Sequence, residues 1–285
     1  MSSFNLRQKV LVSTMLAALW VALASQAAAQ QKGAPPDFSS SQFGWVGVGG
    51  GFGVGGAVFS AVPGQLPPLT DDPAHRFVPN GAKAQPTYRI ADLSDPNLKP
   101  WVKEHMAKDN KEVLAGKIAF TARSSCMPAG VPGFMAYGGP TPLYFVQTPK
   151  EVWMIFSGDQ QVRRIYMDVP HSENPRPSWY GESVGHYEGD SLVIDTIAQN
   201  NKTVVDPYRT PHTEKLHVEE RWRLVDDGKM VEVTFTVEDP DAFYQPWAGK
   251  RRYRRVQEQM VEDVCAENNQ HLFDYHTPIA DKPDF

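Results

Sequence analysis

A short motif that pairs an imidazole with a carboxylate, Pro-His-x-Glu, occurs twice in the chain, centred on His171 and on His212. Each copy follows an acidic residue, Asp168 in the first case and Asp206 in the second. Histidine titrates near neutral pH and is well suited to shuttling protons. Two histidine-bearing loops on one rim can therefore place an acid and a base across a single mouth. We predict His171, His212, Tyr180 and Asp206 as the catalytic residues.

Two other interpretations of the repeated motif stay open. Pro-His-x-Glu is also ordinary turn chemistry, in which case the repeat has no catalytic meaning. A metal site would use the same side chains, but neither His-x-His nor His-x-x-x-His spacing occurs, so three ligands would have to converge from separate parts of the chain. We predict neither a metal nor a cofactor.

Aromatic residues cluster in the second half of the sequence, and they have two interpretations. Barrel cores and barrel pockets are both rich in aromatic rings, so these residues either pack the core or stack on a flat, apolar ligand. Arg209 lies in the loop that follows Asp206, where a guanidinium could hold a substrate oxyanion. The predicted substrate-binding residues are Arg209, Tyr208, Trp179, Trp222, Trp247 and His186.

The elements that must position these residues are short β-strands. Between residues 142 and 268, about nine runs rich in branched and aromatic residues alternate with turn signals. The clearest turn is Asp226-Asp227-Gly228, which joins the runs 215–225 and 230–237 as a hairpin. This pattern is typical of an antiparallel barrel or sandwich rather than of a β-α repeat. We predict a mainly β fold with an up-and-down, lipocalin-like barrel.

Alternation within the strands indicates which side chains face the core. In the run 230–237, the valines and Phe235 lie on one face, opposite polar residues. Strands with one apolar and one polar face are typical of an antiparallel sheet with one dry side. Glu220 is an exception, because it falls on the apolar face of its strand between Val218 and Trp222. A carboxylate there would be costly if it were buried without a partner.

The N-terminal half differs from the strand-rich part. Residues 1–29 have a basic start, an apolar run and a small-residue cleavage site, as a secretory signal peptide does. We predict a Gly/Pro-rich flexible arm over 30–62, because a glycine-rich strand loses much backbone entropy. An irregular segment with one helix, near 100–115, is predicted over 63–141, and a tail over 269–285. After the signal peptide, the sequence predicts no transmembrane segment.

The chain contains two cysteines, Cys126 and Cys265. A secreted protein reaches an oxidising compartment, where an even number of cysteines favours a disulfide. We predict a Cys126–Cys265 disulfide that ties the irregular segment to the end of the barrel. A nucleophilic cysteine is the alternative, although no histidine context typical of cysteine enzymes surrounds either residue.

Charges of both signs are mixed along the chain, and the net charge is −5. This balance argues against a nucleic-acid partner, which requires an extended basic surface. One basic run stands out, Lys250-Arg251-Arg252-Tyr253-Arg254-Arg255, and its residues alternate between the two faces of a strand. It is either a solvated edge strand or an anion site inside the barrel, and both interpretations stay open.

The run from Trp179 to Val193 reads W-x-G-x-S-x-G-x-Y-E-G-D-x-L-V. It resembles the signature of a widespread family of secreted bacterial proteins of unknown function, and further similarity extends from about Cys126 to Asn268. The resemblance implies a secreted protein and implies no particular activity. The Trp-x-Gly opening and the meandering strands are also loosely similar to lipocalin-like barrels, which implies a barrel able to hold a ligand.

These features predict a periplasmic or secreted, cofactor-independent enzyme that acts on a small hydrophobic or aromatic molecule. Proton transfer is the chemistry that His, Tyr, Asp and Glu side chains supply unaided, so a lyase, dehydratase or isomerase is expected. The alternative is a lipocalin-like carrier, which needs the aromatic pocket but no acid and base. A third hypothesis is an envelope protein that binds a partner through the Gly-rich arm.

Overall fold

The structure is a computed structural model in which the described residues are 35–40, 42–48, 59–66, 74, 90–115, 122, 126–136, 142–158, 161–257, 260–262 and 264. Every described residue after Pro35 belongs to one unit, Pro36–Phe285. The predicted signal peptide (1–29), Cys265 and the C-terminal tail (269–285) lie outside the described residues. The Cys126–Cys265 disulfide therefore stays a prediction.

The described chain forms two helices and ten strands, so the fold is mainly β. The helix predicted near residues 100–115 corresponds to α1 (Pro100–Leu114), which starts with a proline, where the N–H has no helical partner in any case. A short helix, α2 (Gly133–Ala136), is an addition to the prediction. The strands are β1 (Gly44–Gly47), β2 (Ser60–Ala61), β3 (Leu143–Gln147), β4 (Glu151–Phe156), β5 (Gln161–Met167), β6 (Glu182–Glu188), β7 (Ser191–Ile197), β8 (His217–Val225), β9 (Met230–Glu238) and β10 (Trp247–Val256).

Nine of the ten strands close into a barrel, which confirms the predicted fold class. Neighbours follow the order β1-β3-β4-β5-β6-β7-β8-β9-β10, and β10 pairs with β1 to complete the circle. The described strand pairs are antiparallel except for β5 and β6, which are parallel. Parallel neighbours require a long crossover, and residues 168–181 supply it. Strand β2 pairs with the early part of β10.

Strand β1 corrects one expectation, because it lies within the stretch 30–62 that the glycine content predicts to be a flexible arm. It pairs with β10 on one edge and with β3 on the other. Its Trp45 is 1% exposed and donates the indole N–H to the carbonyl of Phe38 at 2.8 Å. A side chain at Gly44 has no room, since its Cβ would lie 2.6 Å from the Cβ of Pro142. Burial of Trp45 and pairing on both edges outweigh the entropic cost of the glycines.

The interior of the barrel is filled by side chains from the inward faces of the strands. Trp222 on β8 is 0% exposed. Its ring centroid lies 5.5 Å from that of Phe145, 5.7 Å from that of Tyr253 and 6.4 Å from that of Phe134. Phe134 belongs to α2, so this short helix adds a ring to the barrel core. Tilted and stacked ring pairs at such distances are favourable, and they pack the space around Trp222.

Beyond β10, the described part of the chain contains no strand. Residues 260–262 and 264 adopt no strand, although they lie within the stretch 142–268 predicted to be rich in strands. Neither described helix is long and apolar enough to cross a membrane.

Candidate functional site

Two histidines and three acidic residues form a continuous chain of contacts on the outside of the barrel. We call this group the outer cluster, and its members, in order of contact, are Glu182, His171, Asp195, His217 and Glu238. Asp195 lies on β7 between Ile194 and Thr196, which are both 0% exposed. Because side chains alternate along a strand, Asp195 points to the outer face.

Asp195 bridges the two imidazoles of the outer cluster. Its Oδ1 lies 2.7 Å from Nε2 of His171, and its Oδ2 lies 2.7 Å from Nε2 of His217. His171 comes from the crossover after β5, whereas His217 begins β8. Strand pairing places Asp195 opposite Glu219, so His217, which is two residues earlier on β8, shares the outer face. One carboxylate therefore orients two histidine rings that are distant in sequence.

The two ends of the outer cluster differ. Nδ1 of His171 lies 2.9 Å from Oε1 of Glu182, so both nitrogens of this ring are hydrogen-bonded to carboxylates. Ser172 fixes Glu182 further, donating its backbone N–H at 2.8 Å and its hydroxyl at 2.6 Å. Nδ1 of His217, by contrast, lies 3.8 Å from Glu238, beyond hydrogen-bond range. With Nε2–H donated to Asp195, Nδ1 of His217 is the nitrogen that can take up a proton.

The electrostatics of the outer cluster favour an ionised Asp195 next to His217. The hydrogen bond to Asp195 raises the pKa of His217 above its ordinary value, although partial burial opposes this. Burial alone would raise the pKa of Asp195, but the hydrogen bonds to His217 and His171 outweigh it and hold that pKa below its usual range. Partial burial also acts on Glu182, and the hydrogen bonds to Ser172 and His171 again leave its pKa lowered.

An apolar strip, formed by Tyr166, Val184 and Val169, borders the outer cluster and is accessible to solvent. Tyr166 on β5 pairs with Val184 on β6, which in turn pairs with Asp195 on β7. These three residues therefore form one row across the outer face. Tyr166 is 40% exposed, and Val169, which precedes the Pro-His-x-Glu motif of His171, is 49% exposed. The outer cluster thus lies next to an apolar surface that a small molecule can reach.

His212 lies in a different environment from His171. It is 2% exposed, its Nε2 is 2.8 Å from Oγ1 of Thr203, and its Nδ1 is 2.8 Å from the carbonyl of Thr213. Burial lowers the pKa of this imidazole and favours its neutral form. Within the described part of the chain, His171 and His212 share no hydrogen-bond partner. In our interpretation of the site, His217 therefore takes the place of the predicted acid/base pair of His171 and His212, and His171 positions Asp195.

Asp206, Tyr208 and Arg209 are 1% exposed and belong to the loop between β7 and β8. Asp206 accepts hydrogen bonds from the N–H groups of Tyr208 and Thr210, at 2.8 and 3.2 Å, and from the Thr210 hydroxyl at 2.6 Å. Burial raises the pKa of Asp206 to about 6. Nη1 of Arg209 lies 3.2 Å from Oδ2 of Asp109 on α1. Asp206 therefore stabilises the loop through its hydrogen bonds, and Arg209 links the loop to α1.

The other predicted site residues divide between core and surface. Trp222 packs at the centre of the barrel, and Trp247, 3% exposed, lies against Phe235 and Phe243 at 6.0 and 6.1 Å between ring centroids. The core interpretation of these two tryptophans therefore accounts for their positions, since neither ring is open to a stacking ligand.

Tyr180, Trp179 and His186 are accessible to solvent but lie outside the outer cluster. The Tyr180 hydroxyl donates to Oε1 of Gln161 at 2.7 Å. The half-buried ring of Trp179 has the Lys202 ammonium 6.0 Å from its centroid. His186 is 50% exposed and pairs with Glu188 at 2.9 Å. None of these three residues contacts Asp195 among the described interactions.

Sequence reasoning missed Asp195, His217 and Glu182 as site residues. Their shared signal is a polar residue on the outward face of its strand, which is also the pattern of any solvated strand. The crossover that brings His171 to Asp195 leaves no local sequence signature. Only the strand order and register place these residues in the outer cluster.

Among the described residues, no group of three or more His, Cys, Asp and Glu side chains is arranged to hold a metal ion. Comparison of the chain with protein-family models, with curated proteins and with solved structures gave no match. The family resemblance noted for residues 179–193 therefore stays a prediction.

Proposed function

We propose that the protein is a periplasmic or secreted enzyme that needs no cofactor and uses the outer cluster for acid/base catalysis on a small hydrophobic or aromatic molecule. The observation that carries this proposal is the bridging of His171 and His217 by the two oxygens of Asp195, at 2.7 Å each. A histidine that a carboxylate orients through one ring nitrogen is a recurrent arrangement for a general base. The proposed enzyme is a lyase, dehydratase or isomerase.

His217 takes the role of the base. Its Nδ1 accepts a proton from the carbon next to a substrate carbonyl, and Asp195 stabilises the imidazolium that forms. In an isomerisation the same proton returns to another carbon of the substrate. In a dehydration it goes to the departing hydroxyl group, which leaves as water. Both reactions conserve protons and electrons without a second reactant.

His171 and Glu182 act by position. Because both nitrogens of His171 are hydrogen-bonded to carboxylates, the ring fixes Asp195 rather than meeting the substrate. The apolar strip of Tyr166 and Val184 supplies the surface against which a hydrophobic or aromatic substrate would lie. Burying such a group gains roughly 25 cal/mol for each Å² of apolar surface.

Proton exchange in D₂O tests the proposed function. ¹H NMR would follow loss of the α-protons of phenylacetone and of a panel of arylacetaldehydes and β-hydroxy acids. We expect exchange or turnover faster than with free imidazole, and a loss of about 10²–10⁴-fold in His217→Gln and Asp195→Asn. His186→Gln is the matched control, because His186 is an outer histidine paired with Glu188. Wild-type rates in His217→Gln, or no acceleration across the panel, would contradict the proposal.

The alternative, a lipocalin-like carrier, is less well supported by the geometry. A carrier of aromatic ligands needs rings that line an accessible interior. Trp222 and Trp247, which the sequence suggests for that task, are 0% and 3% exposed and packed against other rings. A ligand that stacks on them would have to displace core side chains.

Secretion and the Cys126–Cys265 disulfide belong to the same proposal. We expect the exported protein to begin at Gln30, which mass spectrometry of the mature chain can establish. Thiol titration under denaturing conditions should find no free cysteine before reduction and two after it, since the sequence contains two. A mature chain with both thiols free would contradict the proposed disulfide.

A further inference from the structure

The outer face of the barrel is apolar on β3, β4 and β5 and charged on β8. Val146, Trp153 and Val162, one on each of the first three strands, are between 37% and 44% exposed. On β8 the outward positions include Arg221 and Arg223, which are also exposed. Exposed apolar side chains are common when scattered singly, but a contiguous group of them marks an interaction surface.

Strand register makes this group contiguous. Val146 pairs with Trp153, which pairs with Arg164, so these three residues form one row across the outer face. Ile155 pairs with Val162 and forms the next row. The two rows adjoin, because side chains two residues apart on a strand point to the same face. We call this group the β3–β5 patch, and its members are Val146, Glu151, Trp153, Ile155, Val162 and Arg164.

The centre of the β3–β5 patch is held in a fixed geometry. The indole N–H of Trp153 donates to Oε2 of Glu151 at 2.6 Å, and Nη2 of Arg164 donates to Oε1 of the same carboxylate at 2.9 Å. Cζ of Arg164 also lies 5.3 Å from the ring centroid of Trp153. Tryptophan and arginine are enriched among the residues that dominate binding energy at protein interfaces. Side chains that are ordered in advance also lose less entropy when two surfaces associate.

The β3–β5 patch contains one acid and one base, so it carries no net charge. It therefore lacks the basic charge that binding to nucleic acids or anionic membranes requires. The chain as a whole has a net charge of −5, so two copies repel one another over most of their surfaces but not here. In a two-fold symmetric pair the same patch is used twice, and Arg164 of each copy can then meet Glu151 of the other. The patch is thus complementary to itself.

We propose that the β3–β5 patch is the contact surface of a symmetric homodimer. Three strands about 4.8 Å apart, with two or three outward residues each, give a contact of roughly 300–400 Å² on each copy. A standard interface buries about 800 Å² on each partner, so we expect a weak and reversible dimer with a Kd of about 10⁻⁵–10⁻⁴ M. Association of two copies needs no substrate, so this proposal does not depend on the proposed enzyme activity.

Sedimentation equilibrium of the mature protein tests the dimer, at concentrations from about tenfold below to tenfold above the expected Kd. We expect the average mass to rise from that of one chain toward that of two. In Trp153→Glu the Kd should rise at least about tenfold, because a charge replaces the central ring. Trp101→Glu is the matched control, since Trp101 is similarly exposed but lies on α1. A wild type that stays monomeric, or an unchanged Kd in Trp153→Glu, would overturn the proposal.

Exchange of the two charges distinguishes a symmetric contact from non-specific association of apolar surface. Glu151→Arg leaves two positive charges on the patch and Arg164→Glu leaves two negative charges, so each variant alone should be monomeric. A mixture of the two variants should form a heterodimer, because each acid again meets a base. A mixture that stays monomeric while the wild type dimerises would count against the contact. Assemblies larger than a dimer would do the same, since a two-fold contact closes at two copies.

Discussion

Arg163 on β5 and Glu220 on β8 form a bidentate ion pair inside the barrel, with side chains 2% and 0% exposed. Nη1 lies 3.1 Å from Oε1, and Nη2 lies 2.5 Å from Oε2. The guanidinium also donates to the hydroxyl groups of Ser183 and Thr196, at 3.1 and 2.8 Å. The pair connects two strands that are not neighbours in the sheet, through groups contributed by the two strands between them.

We expect Glu220→Gln to lower the free energy of unfolding by about 3–5 kcal/mol, because it leaves the Arg163 charge buried without a carboxylate. Urea unfolding followed by tryptophan fluorescence measures this. The double variant Arg163→Met/Glu220→Leu should recover most of the loss, since it removes both charges and keeps the volume. The control is Glu151→Gln, which breaks the exposed pair with Arg164 and should cost far less than Glu220→Gln, because solvent screens exposed charges. Equal losses in the two glutamine variants would contradict the expectation.

The pKa of His217 should depend on Asp195. The hydrogen bond between them raises the pKa of His217, so Asp195→Asn should bring it back toward the usual value of about 6.5. The wild-type interaction contributes stability below that pH and loses it as the pH rises through the folded-state pKa. Titration of the histidine C–H signals by NMR gives both values. His186 serves as the internal reference, and a His217 pKa unchanged in Asp195→Asn would be the contrary result.

His212 should make stability depend on pH in the opposite sense. Burial lowers its folded-state pKa, so the unfolded chain takes up the proton first as the pH falls below about 6.5. The free energy of unfolding therefore falls with decreasing pH, by up to about 1.4 kcal/mol per pH unit. Asp206 has the opposite effect, because burial raises its folded-state pKa to about 6. Between its unfolded-state pKa and that value, the folded protein binds the extra proton and becomes more stable as the pH falls.

Comparison of the wild type with His212→Gln isolates this contribution, because the carboxylates titrate in both proteins. Urea unfolding at several values between about pH 5 and 7.5 should show a flatter profile in His212→Gln. Parallel profiles would show that His212 is protonated equally in the folded and unfolded states.

Gly44→Ala should destabilise the closure of the barrel. The new Cβ would lie 2.6 Å from Pro142 and 3.0 Å from the ring of Tyr144, so β1 must move away from β3. We expect a loss of about 1–3 kcal/mol in the free energy of unfolding, as for other overpacked sites. Gly189→Asn is the control, because Gly189 has open space around it and asparagine tolerates its φ of 61°. A smaller effect at Gly44 than at Gly189 would contradict the close packing of β1.

The strands were the predictable part of the fold. Period-two alternation and Asp-Gly turns are local signals, and they predict the strands from 143 to 256 and the hairpin of β8 and β9. Two features had no local signal. The parallel pairing of β5 with β6 depends on the path of the crossover, and β1 is stabilised by partners about 100 and 200 residues away in sequence, which propensity does not report.

The candidate site was predicted only through His171. Its motif places an imidazole beside acidic residues, which is sufficient to suggest proton transfer. The same motif at His212 leads to a buried loop, since short patterns do not distinguish a turn from a site. Glu220 shows the opposite case, where an acid on an apolar face signalled a buried partner but not which residue it would be.

The pairing of β1 with β10 sets Gly44 opposite Val256 and has a consequence for how the protein is made. During synthesis β1 emerges first and β10 last, so the barrel can close only after β10 has been made. Until β10 is in place the sheet stays open, with β1 at one edge and β9 at the other, and unpaired strand edges promote aggregation. We therefore expect a chain truncated before β10 to form an open sheet that aggregates, and not a smaller barrel.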